Sequence, residues 1–181
     1  MHPTATPPPS SVRTLRGGGS LARALVLLAA ILQLSWLLES VVGSPLPTRT
    51  SYVSELMATD QEWSWLFRSA DTVAGLALFI AVLLSWRTLR SLRRGSGASA
   101  PLRSRMVGMA HLGLGAFGAA MVLDAVVTPM SCAPSLDLAC AQAELTGQVP
   151  LTHQLHSLTS SLSALGAVVG LVAAAVWVWS T

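Results

Sequence analysis

Four stretches of this chain are long and apolar enough to cross a bilayer, and they constrain its fold more than any other feature. They run over about 21–43, 67–86, 106–128 and 155–180. A helix needs roughly 20 residues to traverse the hydrocarbon core. Inside that core only helices and closed barrels satisfy their backbone groups. The stretches are continuous and rich in Leu, Ala and Val, without the strict alternation of barrel strands. The expected fold is therefore all-α: a polytopic membrane protein built as a four-transmembrane-helix bundle. Composition agrees, because only 10% of residues are charged against about 25% in a soluble domain.

Charge placement predicts the orientation. Nine arginines, Arg13, Arg16, Arg23, Arg87, Arg90, Arg93, Arg94, Arg103 and Arg105, fall on one side of the four spans. Only Arg49 and Arg68 fall on the other. The positive-inside rule places the arginine-rich side in the cytoplasm, and four spans then leave both termini there. All eight acids lie outside or at the outer ends of the helices, which fits the same layout. Trp63 and Trp65 suit the outer interface, and Trp86, Trp177 and Trp179 the inner one. The expected location is the cell (plasma) membrane, with the lipid bilayer as the surrounding partner. The arginines carry no aromatic interleaving and no recognition helix, so no nucleic-acid partner is expected.

This layout assigns residues 1–20 to a disordered cytoplasmic tail rich in Pro, Gly, Ser and Thr. Residues 21–180 form the membrane bundle, with outer loops 44–66 and 129–154 and a basic inner loop 87–105. A second reading of the N-terminus is a cleaved signal peptide. Arg13–Arg23 would be its basic region, Ala24–Leu38 its apolar region and Val41-Val42-Gly43 its cleavage site.

Each helix brings an ionisable group to the outer membrane level: Glu39, Asp71 (three residues after Arg68), Asp124, and the pair His153 and His156. Ionisable groups within spans are costly and default to functional hypotheses. Gln33, Ser40, Ser157, Thr159, Ser160 and Ser161 add polar atoms nearby. Three readings stand side by side. One is a structural network in which Arg68 pairs with Asp71 and Asp124 meets His153 or His156. The second lets that network line an outward pocket for a ligand or a proton. The third is a zinc site with His153, His156, Asp124 and Asp71 as ligands, which would make an outward-facing metal-dependent membrane hydrolase. The expectation is no metal and no cofactor, with zinc as the alternative. His111 sits 13 residues from Asp124, roughly 20 Å along a helix, so it cannot join a small site with them. It shares a face with Gly115 and Gly118 and is read as an interhelical hydrogen-bonder.

The two cysteines, Cys132 and Cys140, fall in the second outer loop with C-x7-C spacing. A structural disulfide is expected there. It would close a nine-residue loop, worth about 2.5 kcal/mol in the chain-entropy account. Metal binding by the pair, or redox catalysis, are the alternatives. A possible internal duplication pairs "ESVVGSP" (Glu39–Pro45) with "DAVVTP" (Asp124–Pro129).

"SYVSEL", "WLFRSADTVAGL", "DAVVTPMSCAPSLDLAC" and "HQLHSLTS", in that order, together resemble the domain-of-unknown-function 998 family of bacterial integral membrane proteins. The chain looks like an actinobacterial-type member. The resemblance implies a membrane bundle and paired outer cysteines, and no activity. Members usually carry about six spans, which implies a short variant or a chain lacking two helices. The expected function is that of a small integral membrane protein binding or assisting a partner or ligand at the outer face. The alternatives are the metal-dependent hydrolase and a subunit of an oligomeric transporter or channel. A homo-oligomer or another membrane protein is an expected partner.

Overall fold

A computed structural model describes residues 10–95 and 101–179. Residues 1–9 of the expected tail, 96–100 of the expected inner loop and 180–181 lie outside them. The described residues form helices and connecting turns, with no strand. They are α1 (Ser10–Leu32), α2 (Glu39–Val42), α3 (Ser64–Gly95), α4 (Pro101–Val126), α5 (Leu138–Leu145) and α6 (Leu151–Trp179), with 3-10 turns at Ser35–Leu38 and Val53–Met57. Four segments are long and apolar enough to span a membrane: Gly19–Val42, Ser64–Trp86, Ser104–Val126 and Leu151–Trp179. The chain is a multi-pass membrane protein.

Three boundaries differ from the sequence reading. α1 begins at Ser10 and takes up the second half of the expected tail. Once a turn is nucleated, each added residue gains a hydrogen bond, so the apolar run extends its helix outward. α3 has 32 residues, about 48 Å of helix, and outruns the ~30 Å hydrocarbon core. The stretch after Trp86 holds good helix formers and no breaker before Gly95, and α4 already begins at Pro101, so all the described residues of the expected inner loop are helical. Span one, in contrast, is not one helix. Leu34 N–H donates to the Ile31 carbonyl at 3.1 Å, a three-residue step, and a 3-10 turn follows. Such a break is tolerated at membrane depth where it faces protein or a cavity.

The ends of the spans have ordinary stop signals. Gly43 takes φ 69°, returns its N–H to Glu39 and precedes Pro45. At the end of α4, Val127 and Thr128 both return to the Leu123 carbonyl before Pro129. Pro150 precedes α6, where a missing N–H costs nothing.

The spans pack in sequence: α1 on α3, α3 on α4, and α4 on α6. α1 and α6 share no comparable seam, so the bundle is an arc open along one side. Glycine sets the close approaches. A Cβ on Gly75 would stand 2.6 Å from the Gly118 carbonyl, and one on Gly118 2.7 Å from the Gly75 carbonyl. Between α4 and α6, a Cβ on Gly113 would meet Gly170 Cα at 2.7 Å, and one on Gly166 the Phe117 nitrogen at 2.7 Å. In a membrane such small-residue seams replace the hydrophobic effect as the means of close packing. Large apolar side chains point outward instead, among them Leu162, Leu165, Val168 and Leu171 on α6.

One end of the bundle is capped by the two long loops. Their core is Leu46, Leu56, Met57, Phe67, Ala125, Met130 and Ala133. Glu55, 1% exposed, holds the loops together. It accepts from Tyr52 N–H at 3.2 Å, and from the backbone and hydroxyl of Ser135 in the other loop. Asp60 accepts from Ala133 N–H at 3.2 Å, and Thr59 N–H donates to Met130 at 2.9 Å. Cys132 and Cys140 are disulfide-bonded within this cap, with Cα atoms 6.1 Å apart.

Candidate functional site

The polar groups at the capped end separate into three arrangements. The first joins α4 to α6. Asp124 is buried, at 6% exposure, in the last turns of α4. His156 Nδ1 lies 3.0 Å from Asp124 Oδ1 and 3.1 Å from the Thr128 carbonyl. A carbonyl only accepts, so Nδ1 carries the proton and shares it between the two oxygens. Ser160 donates to Asp124 Oδ2 at 2.8 Å, and Thr159 donates to Asp124 Oδ1. Thr128 and Thr159 hydroxyls meet at 2.8 Å, and Ser160 lies 3.2 Å from His156 Nε2. Residues 156, 159 and 160 share one helical face, which is why a single carboxylate gathers all three.

The second arrangement is Asp71 on α3. Its Oδ1 accepts from the Gln33 amide at 3.3 Å, and that amide also lies 3.6 Å from Met121 Sδ. Gln33 still bonds to the Ala29 carbonyl at 2.9 Å, so the last helical turn of α1, just before the break, carries it to α3. The expected Arg68–Asp71 ion pair does not form. Arg68 Nε instead donates to the Ala125 carbonyl at 2.7 Å. That carbonyl belongs to the last turn of α4, which lacks an intrahelical donor and carries the negative end of the helix dipole. It outcompetes a carboxylate on the same helix. Among the described residues Asp71 has no cationic partner.

The third arrangement removes His153 from the others. It lies one turn before His156 but turns into the cap, 1% exposed. Its Nδ1 accepts from Ser131 N–H at 3.3 Å and meets the Ser131 hydroxyl at 2.9 Å. Its Nε2 is 3.9 Å from Glu144 and has no hydrogen-bond partner. His153, His156, Asp124 and Asp71 therefore do not gather as the nitrogen/oxygen shell considered from sequence. Among the described residues the one group of potential ligands that does gather is Cys132, Cys140 and His153. Glu39 is half-buried and its carboxylate makes no hydrogen bond or ion pair among the described residues. It sits in short α2 beyond the break, whereas Asp124 lies inside α4, so the two acids of the suspected duplication are not in equivalent places.

Asp71 and Asp124 open onto one cavity of about 320 Å³. Gln33 and Trp36 from the broken span, Phe67 from α3 and Ser160 from α6 complete its wall. It occupies the gap that span one and α6 leave unclosed. A second, apolar groove of about 750 Å³ lies at the opposite end between α1, α3, α4 and α6, with Arg23 and His111 on its wall. There His111 donates from Nδ1 to the Val107 carbonyl at 2.9 Å, so Nε2 accepts from Ser85 on α3 at 3.0 Å. This is the expected interhelical bond.

A family model described as "Protein of unknown function (DUF998)" matches residues 24–181. The chain belongs to this family. No curated protein and no solved structure matches it. For a DUF998 chain, then, activity has to be argued from the cavity and its charges.

Glu55, Thr128 and Ser131 hold the site and the cap together, yet none stood out in the sequence. Glu55 had a signal in its place three residues after Tyr52, where a carboxylate can reach back to the N–H that opens a helical turn. Thr128 and Ser131 are common residues after a helix and carry no such mark.

Proposed function

We propose that this protein binds a small organic cation in the cavity beneath its cap. One observation carries the reading: the Asp71 carboxylate faces the cavity with the Gln33 amide as its only partner among the described residues. An uncompensated carboxylate within a membrane span is expensive, so it is retained where something positive meets it. Asp124 differs, because His156, Thr159 and Ser160 already satisfy it. The Asp124 cluster is then the latch between α4 and α6, and Asp71 is the recognition group. Trp36 and Phe67 line the cavity, and aromatic rings are partners of alkylammonium groups. A volume of about 320 Å³ falls at the small end of ligand pockets, which run about 300–1,000 Å³.

The arginine distribution supports a plasma-membrane protein with its cap outside and both termini in the cytoplasm. The cavity would then sample the exterior. The unclosed seam between α1 and α6 supports a second element, assembly with another copy or another membrane protein along that side. The mass of the protein–detergent complex tests it.

The cation reading is tested by thermal melts of the purified protein with ethanolamine, choline and 1,4-diaminobutane, against acetate and phosphate. A ligand at a hundred times its Kd stabilises by about 2.7 kcal/mol. At least one cation should raise the melting temperature saturably, the anions should not, and Asp71→Asn should abolish the effect. No shift with any cation, or an undiminished shift in Asp71→Asn, overturns the reading.

A further inference from the structure

The cap holds a second cluster that the cation site does not use. A ring nitrogen of His153 and the sulfurs of Cys132 and Cys140 all lie within 4.8 Å of one another. His153 is 1% exposed and Cys140 4% exposed, while Cys132 is half-buried at the edge. A fully buried imidazole normally has both nitrogens bonded, because a buried polar atom left unmet keeps the cost of its lost hydration. Here Nδ1 is held by Ser131 and Nε2 has no hydrogen-bond partner. The Glu144 carboxylate stands 3.9 Å from Nε2, beyond hydrogen-bond reach, so the ring beside the sulfurs keeps one nitrogen without a bond. That arrangement fits a state in which the sulfurs are ligands.

We propose that Cys132, Cys140 and His153 are a thiol-gated site for a zinc-type divalent ion, closed while the disulfide stands and opened by its reduction. Two thiolates and one imidazole make a soft-to-borderline donor set, with a fourth position left for water. Tetrahedral bonds of about 2.3 Å to sulfur put two thiolates about 3.8 Å apart. The bonded sulfurs stand closer than that, so after reduction rotation of the two cysteine side chains has to move them apart while both stay beside His153. The chemistry balances. An external dithiol gives two electrons and two protons to the disulfide, leaving two protein thiols and becoming a disulfide itself. Metal entry then expels the two thiol protons to solvent, and the ring proton of His153 passes from Nε2 to Nδ1, where the Ser131 hydroxyl at 2.9 Å accepts it and the Nε2 lone pair is freed for the ion. Oxidation reverses the sequence and releases the ion.

Cobalt(II) is the probe, because tetrahedral cobalt with thiolate ligands is coloured. The full-length protein in detergent is titrated with cobalt after reduction by a phosphine, and again as the intact disulfide. The reduced protein should take up one cobalt per chain with thiolate-to-cobalt charge-transfer bands, bleached by one equivalent of zinc. The disulfide form should show neither band. His153→Gln, reduced, should bind at least roughly tenfold more weakly, the scale on which even a supporting residue of a metal site acts. Its far-ultraviolet circular dichroism, compared with that of the wild type, separates lost ligation from lost fold. Absence of the bands in the reduced wild type overturns the proposal. So does equal binding by both redox forms, or wild-type affinity in a folded His153→Gln protein.

Discussion

His156 on α6 holds Asp124 on α4 at 3.0 Å, inside the region where both side chains are less than a tenth exposed. Two hydroxyls of α6 bond to the same carboxylate. Removing the acid strands an imidazole and two hydroxyls in a dry place. Breaking a buried pair from one side costs about 3–5 kcal/mol, more than the pair contributes as a whole. Asp124→Ala should therefore lower the melting temperature of the purified protein strongly, with no ligand present. Asp124→Asn keeps one acceptor oxygen and should fall between it and the wild type. An unchanged melting curve for Asp124→Ala would mean that the cluster is not a latch.

Arg68 and Asp71 stand three residues apart on α3 and yet bond elsewhere, to Ala125 and Gln33. A double-mutant cycle on Arg68→Ala and Asp71→Asn should return a coupling below about 0.5 kcal/mol, as for sites with no shared partner. The corresponding cycle on His156 and Asp124 should return roughly 1–3 kcal/mol. Equal couplings for both pairs would mean that the arginine does neutralise Asp71, and the case for an external cation would go with it.

The sequence was most legible where one physical rule dominates. Span positions follow from the cost of an unpaired backbone in lipid, and the four helices long and apolar enough to span lie within a few residues of the four apolar stretches. Depth along a helix is also simple arithmetic, and it brought Asp71 and Asp124 to one level and kept His111 apart. Rotation about the helix axis and competition for partners are not readable in that way. His153 and His156 share a face by spacing, but the loop carbonyl of Thr128 holds one and Ser131 holds the other. Where a loop puts its backbone depends on the whole cap. The break at Gln33 was equally hidden, because no proline or glycine marks it.

The glycine seams give a graded test of packing. Gly115 has only Val82 Cγ1 within reach of an added Cβ, at 3.4 Å. Gly113 and Gly166 face backbone, which cannot rotate away. Gly115→Ala should melt close to the wild type. Gly113→Ala and Gly166→Ala should each lose about 1–3 kcal/mol or more, the usual cost of overpacking. The spacing of Gly166 and Gly170 is the G-x-x-x-G pattern of close membrane helices, a signal the sequence carries beside that of Gly115 and Gly118. If Gly115→Ala proved the most damaging of the three, the α4–α6 contact would have to be rotated from the one described.

Orientation is the remaining link between site and function, since a cavity beneath the cap samples whichever compartment the cap faces. The four spans place the turn after α5 at one end, and the end of α3 with the start of α4 at the other. Gly147, at φ 67° with open space around it, marks the turn at the capped end as one that accepts an insertion. A phosphatase that is active only outside the cytoplasm, inserted after Gly147, should be active, and the same reporter inserted within 96–100 should be silent. A reporter that fluoresces only in the cytoplasm should give the opposite pattern. Replacing Arg103 and Arg105 by Gln, while adding arginines near Gly147, should weaken or invert that pattern, because the bias of arginine between short loops is what sets it. Phosphatase activity at 96–100 in the unaltered chain would turn the cavity toward the cytoplasm. The ligand would then have to be sought among intracellular cations.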